Sequence, residues 1–237
     1  MTTLSLNLNI HKLFLLCVFA ILATMNVSAQ YTWVGGTSSD FLDATNWNTA
    51  PGFTSAATFT VGAGNTNNPT LGTAGYPRTS SAPTAGGVSV NDLGHLTLSG
   101  SININSATYW MGTTTINGGA TNVRNSFYLG SSNTAGVDTP TLNVESGASF
   151  NVKTFLIISN KQPGTLNVNG GIITTDSGGF ITIGNYPLYA PCNGILNLNS
   201  GEVHARTNGL TIGTRGTVNV NGGLLDVIAG NTNVGRD

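Results

Sequence analysis

"GTLNVNGG" spans residues 164–171, and "GTVNVNGG" spans residues 216–223. The two octets start 52 positions apart and differ at one residue, Leu166 against Val218. Reading on from the first octet gives "TLNVNGGIITTDSGGFITIG" at 165–184. An apolar-x-apolar pair (Leu166, Val168) leads into a turn at Asn169–Gly171. A second short strand follows around Ile173 and Thr175, and a third around Ile181 and Ile183. Gly184 closes the unit.

The same grammar recurs along the chain. It runs through "LTLSGSININSATYWMG" (96–112), "TTINGGATNVRNSFYLG" (114–130) and "TLNVESGASFNVKTFLIIS" (141–159). It returns in "ILNLNSGEVHARTNGLTIG" (195–213) and "TVNVNGGLLDVIAGNTNVG" (217–235). The step from the second apolar residue of the first strand to the apolar residue before the closing position stays at 13 to 15: Leu98 to Met111, Ile116 to Leu129, Val144 to Ile158, Val168 to Ile183, Leu198 to Ile212 and Val220 to Val234. Length varies between copies instead, in "SSNTAGVD" (131–138) and "NYPLYAPC" (185–192), which read as insertions at one corner.

Repeats of roughly 18–30 residues with short strands and Gly/Asn corners mark a β-solenoid. One coil cannot bury its own apolar face, whereas coils stacked as parallel strands can. The octets are then the first strands of two coils with one coil between them. Period two turns Leu166 and Val168 inward and Asn167 outward. Stacking the copies predicts an outward column of Thr97, Thr115, Asn143, Asn167, Asn197 and Asn219. Its neighbour is Thr113, Thr141, Thr165, Ile195 and Thr217. Such columns can hydrogen-bond rung to rung. The alternative is that Asn143, Asn167, Asn197 and Asn219 present a ligand surface. A Thr-x-Thr ice-binding array is disfavoured, because the array here is Thr-x-Asn and Ile195 interrupts it.

The N-terminus reads differently. A weakly basic start (His11, Lys12) precedes an apolar run from Leu13 to Ala23, and small residues end at Val27-Ser28-Ala29. That is the layout of a signal peptide over residues 1–29, cleaved near Ala29. The run is too short to span a bilayer, which takes about 20 apolar residues. The remainder has no transmembrane segment and one cysteine, Cys192, so no internal disulfide staples it. From Gln30 onward there are seven Lys and Arg against nine Asp and Glu, with no basic run. A nucleic-acid partner is therefore excluded. Charged residues make up 7% of the chain, against a usual ~25%.

Residues 30–87 read as a cap and lead-in, and 88–237 as the repeats, with "VSVNDL" (88–93) as the strand that joins the stack. Trp33, Phe41 and Trp47 are placed to cover the first coil, since an exposed edge strand invites other chains to pair with it. The expected fold is all-β: a right-handed parallel β-helix of about six to seven coils with an aromatic N-terminal cap.

"TWVGGTSSDFLDATNWN" (32–48) resembles the opening of secreted bacterial β-helix proteins, and the "GTLNVNGG…ITIG" units resemble the repeats of autotransporter passengers. The ending "VSAQ" is similar to that of Bacteroidetes exported proteins. The resemblance implies right-handed coiling and an exported location. It also implies a C-terminal export or anchoring domain, hence a chain that continues beyond Asp237 or an open end that associates end to end.

Parallel β-helices include polysaccharide lyases and hydrolases, whose sites gather carboxylates and cations on adjacent coils. The best candidate here is "EVHAR" (202–206). Period two puts Glu202, His204 and Arg206 on one outward face. Aligning coils places Asp176 one rung before Arg206, and Asp226 one rung after His204. The catalytic reading makes His204 or a carboxylate the base and Arg206 the stabiliser. The competing reading pairs Asp176 with Arg206 and His204 with Asp226. His95 and His204 are far apart and lack Cys partners, so no metal set is expected. No cofactor motif occurs. Asp40, Asp43 and "DLGH" (92–95) read as cap or turn residues, and nothing in "YAPCNG" would activate Cys192. The expected function is an exported structural or adhesin-like surface module without catalysis, with glycans or other surface components as partners. The alternative is a polysaccharide-binding or polysaccharide-degrading protein, with Tyr128, Tyr186 and Tyr189 walling a sugar groove.

Overall fold

The structure is a computed structural model. It describes residues 29–49, 58–61, 67–71, 84–85, 87–90, 94–105, 108–130, 139–176, 178–184, 192–228 and 230–235. The signal segment 1–28, residues 91–93 of the joining strand, and the corner insertions 131–138 and 185–191 lie outside the described residues.

Strand β1 (Gln30–Thr32), a 3-10 turn (Ala44–Asn46) and β2 (Thr58–Val61) come first. Successive coils follow. The first is β3 (Thr70–Leu71), β4 (Thr84–Ala85) and β5 (Gly87–Val90). The second is β6 (His95–Leu98), β7 (Ile102–Ile104) and β8 (Thr108–Trp110). The third is β9 (Thr113–Ile116), β10 (Gly119–Val123) and β11 (Phe127–Leu129). The fourth is β12 (Thr141–Glu145), β13 (Ala148–Val152) and β14 (Phe155–Ile158). The fifth is β15 (Gly164–Thr175) with β16 (Phe180–Ile183), and the sixth is β17 (Gly194–Ala205) with β18 (Gly209–Ile212). The seventh is β19 (Gly216–Val220), β20 (Leu224–Val227) and β21 (Asn231–Val234).

These strands stack into three parallel faces. Face one runs β3, β6, β9, β12, the first halves of β15 and β17, then β19. Face two runs β4, β7, β10, β13, the second halves of β15 and β17, then β20. Face three runs β1, β2, β5, β8, β11, β14, β16, β18 and β21. The chain is thus all-β and solenoid-like, with curled parallel sheets. Strands β2, β3 and β4 belong to the stack although they fall in the segment read as cap and lead-in.

The core is a set of inward columns. On face one it is Leu98, Ile116, Val144, Val168 and Leu198, each at most 1% exposed. Burying one such side chain contributes about 1.5–3 kcal/mol. Val220 continues the column on β19 and is 54% exposed, because no rung covers it among the described residues. One expected position shifts. Trp110, not Met111, stands in register with Leu129. The indole is fully buried, edge-on to Phe127, and donates from Nε1 to the Val88 carbonyl oxygen at 3.1 Å.

At corners the backbone dictates glycine. Gly201 turns between faces one and two at φ +87°, and a Cβ there would run into the Gly171 carbonyl oxygen of the rung below.

The aromatic cap forms as expected. Trp33, Phe41 and Trp47 are buried and pack on one another and on Phe59, with ring centroids 4.9 to 6.3 Å apart. Trp47 Nε1 donates to the Phe41 carbonyl oxygen at 2.8 Å, and Trp33 Nε1 donates to that of Asn67 at 2.7 Å. Asn46 is fully buried beneath them. Its Oδ1 accepts from the amides of Thr37 and Ser38, and its Nδ2 donates to Ser38 Oγ and the Asp40 carbonyl oxygen. The segment then closes the edge of face one: Thr70 N donates to the Ser39 carbonyl oxygen, and Phe41 N donates to that of Thr70.

Candidate functional site

The outward columns are built of side-chain amides. On face one, Thr97, Thr115, Asn143, Asn167, Asn197 and Asn219 stand in one register, as expected. Asn143 Nδ2 donates to Thr115 Oγ1 at 3.3 Å. Asn167, Asn197 and Asn219 each donate to the Oδ1 of the previous asparagine at 2.8 Å. The neighbouring column of Thr113, Thr141, Thr165, Ile195 and Thr217 is also in register.

Two further ladders escaped the sequence reading. At the corner after face one, Asn169 donates to Glu145 Oε1 at 2.9 Å, Asn199 to Asn169 at 2.9 Å, and Asn221 to Asn199 at 2.8 Å. On face two, Asn122 donates to Asn103 at 3.0 Å and Asn151 to Asn122 at 2.9 Å. Asn169, Asn199 and Asn221 occupy the same place in the repeated octets, where repetition was the available signal, whereas Asn103, Asn122 and Asn151 sit in diverged copies and only period two pointed to them.

Thr174, His204 and Asp226 continue the face-two column. The five ionisable residues of the expected cluster separate into two groups. In the first, His204 Nε2 lies 2.8 Å from Glu202 Oε2, and Nδ1 lies 3.5 Å from Asp226 Oδ2. The imidazole is 16% exposed, and its Nδ1 is buried. A general base needs a nitrogen within reach of a substrate proton. Nε2 here is within hydrogen-bond distance of Glu202, while the buried Nδ1 faces Asp226 without a hydrogen bond. Among the described residues no group of three His, Cys, Asp or Glu side chains is placed to hold a metal ion.

Asp176 and Arg206 form the second group, at the corner after face two. Both line an open groove of about 540 Å³. Asn122, Asn151 and Thr174 form one wall, and Arg124, Lys153, Asp176 and Arg206 form the corner row. Among the described residues, Arg124, Lys153 and Arg206 make no ion pair within 4.0 Å. The sequence reading had found Asp176 and Arg206 but not Arg124 or Lys153.

On face three, Tyr128 stacks on Tyr109 with ring centroids 5.0 Å apart and planes 8° from parallel, and Tyr109 is 43% exposed. Tyr186 and Tyr189 lie outside the described residues. Cys192 is buried and forms no disulfide. Burial pushes its thiol up, against a hydrogen bond with Ser159 and the charge of Arg215.

No family model, curated protein or solved structure matches this chain. Among the described residues no helix is long and apolar enough to cross a membrane.

Proposed function

We propose that the chain is an exported, right-handed parallel β-helix that works as a non-catalytic structural, adhesin-like module at the cell surface or outside the cell. The observation that carries this reading is the three-ladder arrangement. Outward amides are bonded rung to rung over successive coils. Side chains committed to one another stiffen a rod and leave few groups for chemistry. Right-handed coiling is supported by the strong bias of parallel crossovers, about 98% of which are right-handed. Export is supported by the apolar leader ending at Ala29.

The test is fractionation of the producing cells with mass spectrometry of the chain's N-terminus. The expected product lies outside the cytoplasm and begins at Gln30. A cytoplasmic product beginning at Met1 would overturn the export reading.

A second reading is a polysaccharide-contacting protein, favoured by the groove beside Arg124, Lys153 and Arg206. Incubation with a polysaccharide panel separates the cases. Retention without new reducing or unsaturated ends supports binding, and new ends support an enzyme. If ends appear and a His204→Ala/Arg206→Ala variant still forms them, the His204 cluster is not their source.

A further inference from the structure

We infer that the groove along Arg124, Lys153 and Arg206 binds a linear acidic polysaccharide, a polyuronate, laid along the stacking direction of the coils. This names the ligand class for the polysaccharide-contacting reading and rests on it.

The argument begins with how unevenly charge is placed. The described residues include five Lys and Arg in all, and three of them line this one groove. Arg124, Lys153 and Arg206 are all exposed. Arg124 and Lys153 follow Val123 and Val152, which are register partners, so the two cations stand on neighbouring rungs. Successive rungs lie about 4.8 Å apart. Like charges stacked at that distance repel. The asparagine ladders put neutral amides at such positions, where they bond to each other. Here the fold sets cation beside cation, and an anion in the groove offsets that repulsion.

The spacing fits a polymer. Lys153 and Arg206 are separated by the rung of Asp176, so the cations sit at intervals of one and two rungs, about 4.8 and 9.6 Å. Carboxylates carried at intervals on a sugar backbone can meet them in turn, and each guanidinium can hold a carboxylate through two N–H groups. The wall opposite suits hydroxyls. Asn122 and Asn151 each use one amide N–H along the ladder, which leaves the second for a ligand. The amide ladder also stops at Asn151, because the next rung carries Thr174. Asp176 supplies an acceptor for a sugar hydroxyl.

The experiment measures binding of the purified protein to alginate and polygalacturonate by affinity electrophoresis and calorimetry. Dextran, dextran sulfate and single-stranded oligothymidylate are run alongside. The expected result is retention by the polyuronates, weakening as salt is raised, since exposed pairs are screened. R124A, K153A and R206A should each weaken it by up to about five-fold. The triple variant should abolish retention while its circular dichroism and melting temperature stay those of the wild type. D176N should tighten binding by about three-fold. R215A, an exposed cation outside the groove, should change nothing. Preference for dextran sulfate or oligothymidylate overturns the inference. So does polyuronate binding that survives the triple variant, although the polysaccharide reading then stands. Retention by none of the polysaccharides overturns both.

Discussion

The side-chain amide of Asn197 donates to Oδ1 of Asn167 across one rung at 2.8 Å. Asn167 in turn donates to Asn143, so a single side chain on this face both gives and receives a hydrogen bond along the stack. Each such bond contributes about 0.5–1.5 kcal/mol net. Asn167→Ala is therefore expected to destabilise the protein by about 1–3 kcal/mol, and Asn219→Ala, which removes one bond at the uncovered rung, by about 1 kcal/mol or less. Urea titrations of the two variants check this. Equal losses would show that the ladder does not act through its rungs.

The side-chain contacts of His204 on face two are expected to matter less than the core beneath them. His204→Ala removes a largely covered imidazole and its hydrogen bond with Glu202, and should cost about 0.5–1.5 kcal/mol. Leu198→Ala removes a fully buried side chain and should cost about 2–5 kcal/mol. The same titrations read both values, and a larger loss for His204 would give the imidazole a role that its contacts do not explain.

Glycine corners divide into two kinds. Gly147 has φ +81° and open space around a would-be Cβ, so Gly147→Ala meets only backbone strain, about 1–2 kcal/mol. Gly201→Ala adds a collision with the Gly171 backbone and should cost clearly more. Thermal melts of the pair give the order. If Gly147→Ala proves the more harmful, the close coil approach is not what selects glycine at 201.

Acid should act on the cap through Asp43. The hydroxyl of Thr45, then its backbone N–H, donate to this carboxylate at 2.6 and 2.9 Å and hold it below the usual range, against slight burial and with help from Ser38 and Thr37. A carboxyl depressed in the folded state adds stability that is full above its unfolded value, about pH 3.9. That stability is lost as pH falls through the folded value. Tryptophan fluorescence, followed from pH 6 to pH 2, should show the cap loosening at the acid end. Asp43→Asn should flatten that dependence, and an unchanged acid limb would assign it to another group.

Cys192 carries the opposite sign. Its thiol is raised, so the neutral form is favoured in the fold, and its contribution is full below the unfolded value of about 8.5 and lost as pH rises through the folded one. Alkylation by iodoacetamide at pH 8 should be slower in the native protein than in urea, because burial covers the sulfur and disfavours the thiolate, which is the nucleophile. Equal rates would mean that the side chain is open to solvent.

Period two and the repeated octets sufficed to orient Leu166 and Val168 inward and to align Asn143, Asn167, Asn197 and Asn219. Each of these depends on local alternation or on near-identical copies, and both are written in consecutive residues. The shift from Met111 to Trp110 was not legible, because both are apolar and only the stacking register chooses between them. The ladder of Asn103, Asn122 and Asn151 was hidden by copies that had diverged around it. The groove was further out of reach, since Arg124, Lys153 and Arg206 are 29 and 53 residues apart and no basic run announces them. Coils of unequal length bring those residues to one corner, and only the stacking register decides which side chains share it. Alternation therefore determined what faces in and what faces out, whereas the tertiary structure decided which outward groups meet.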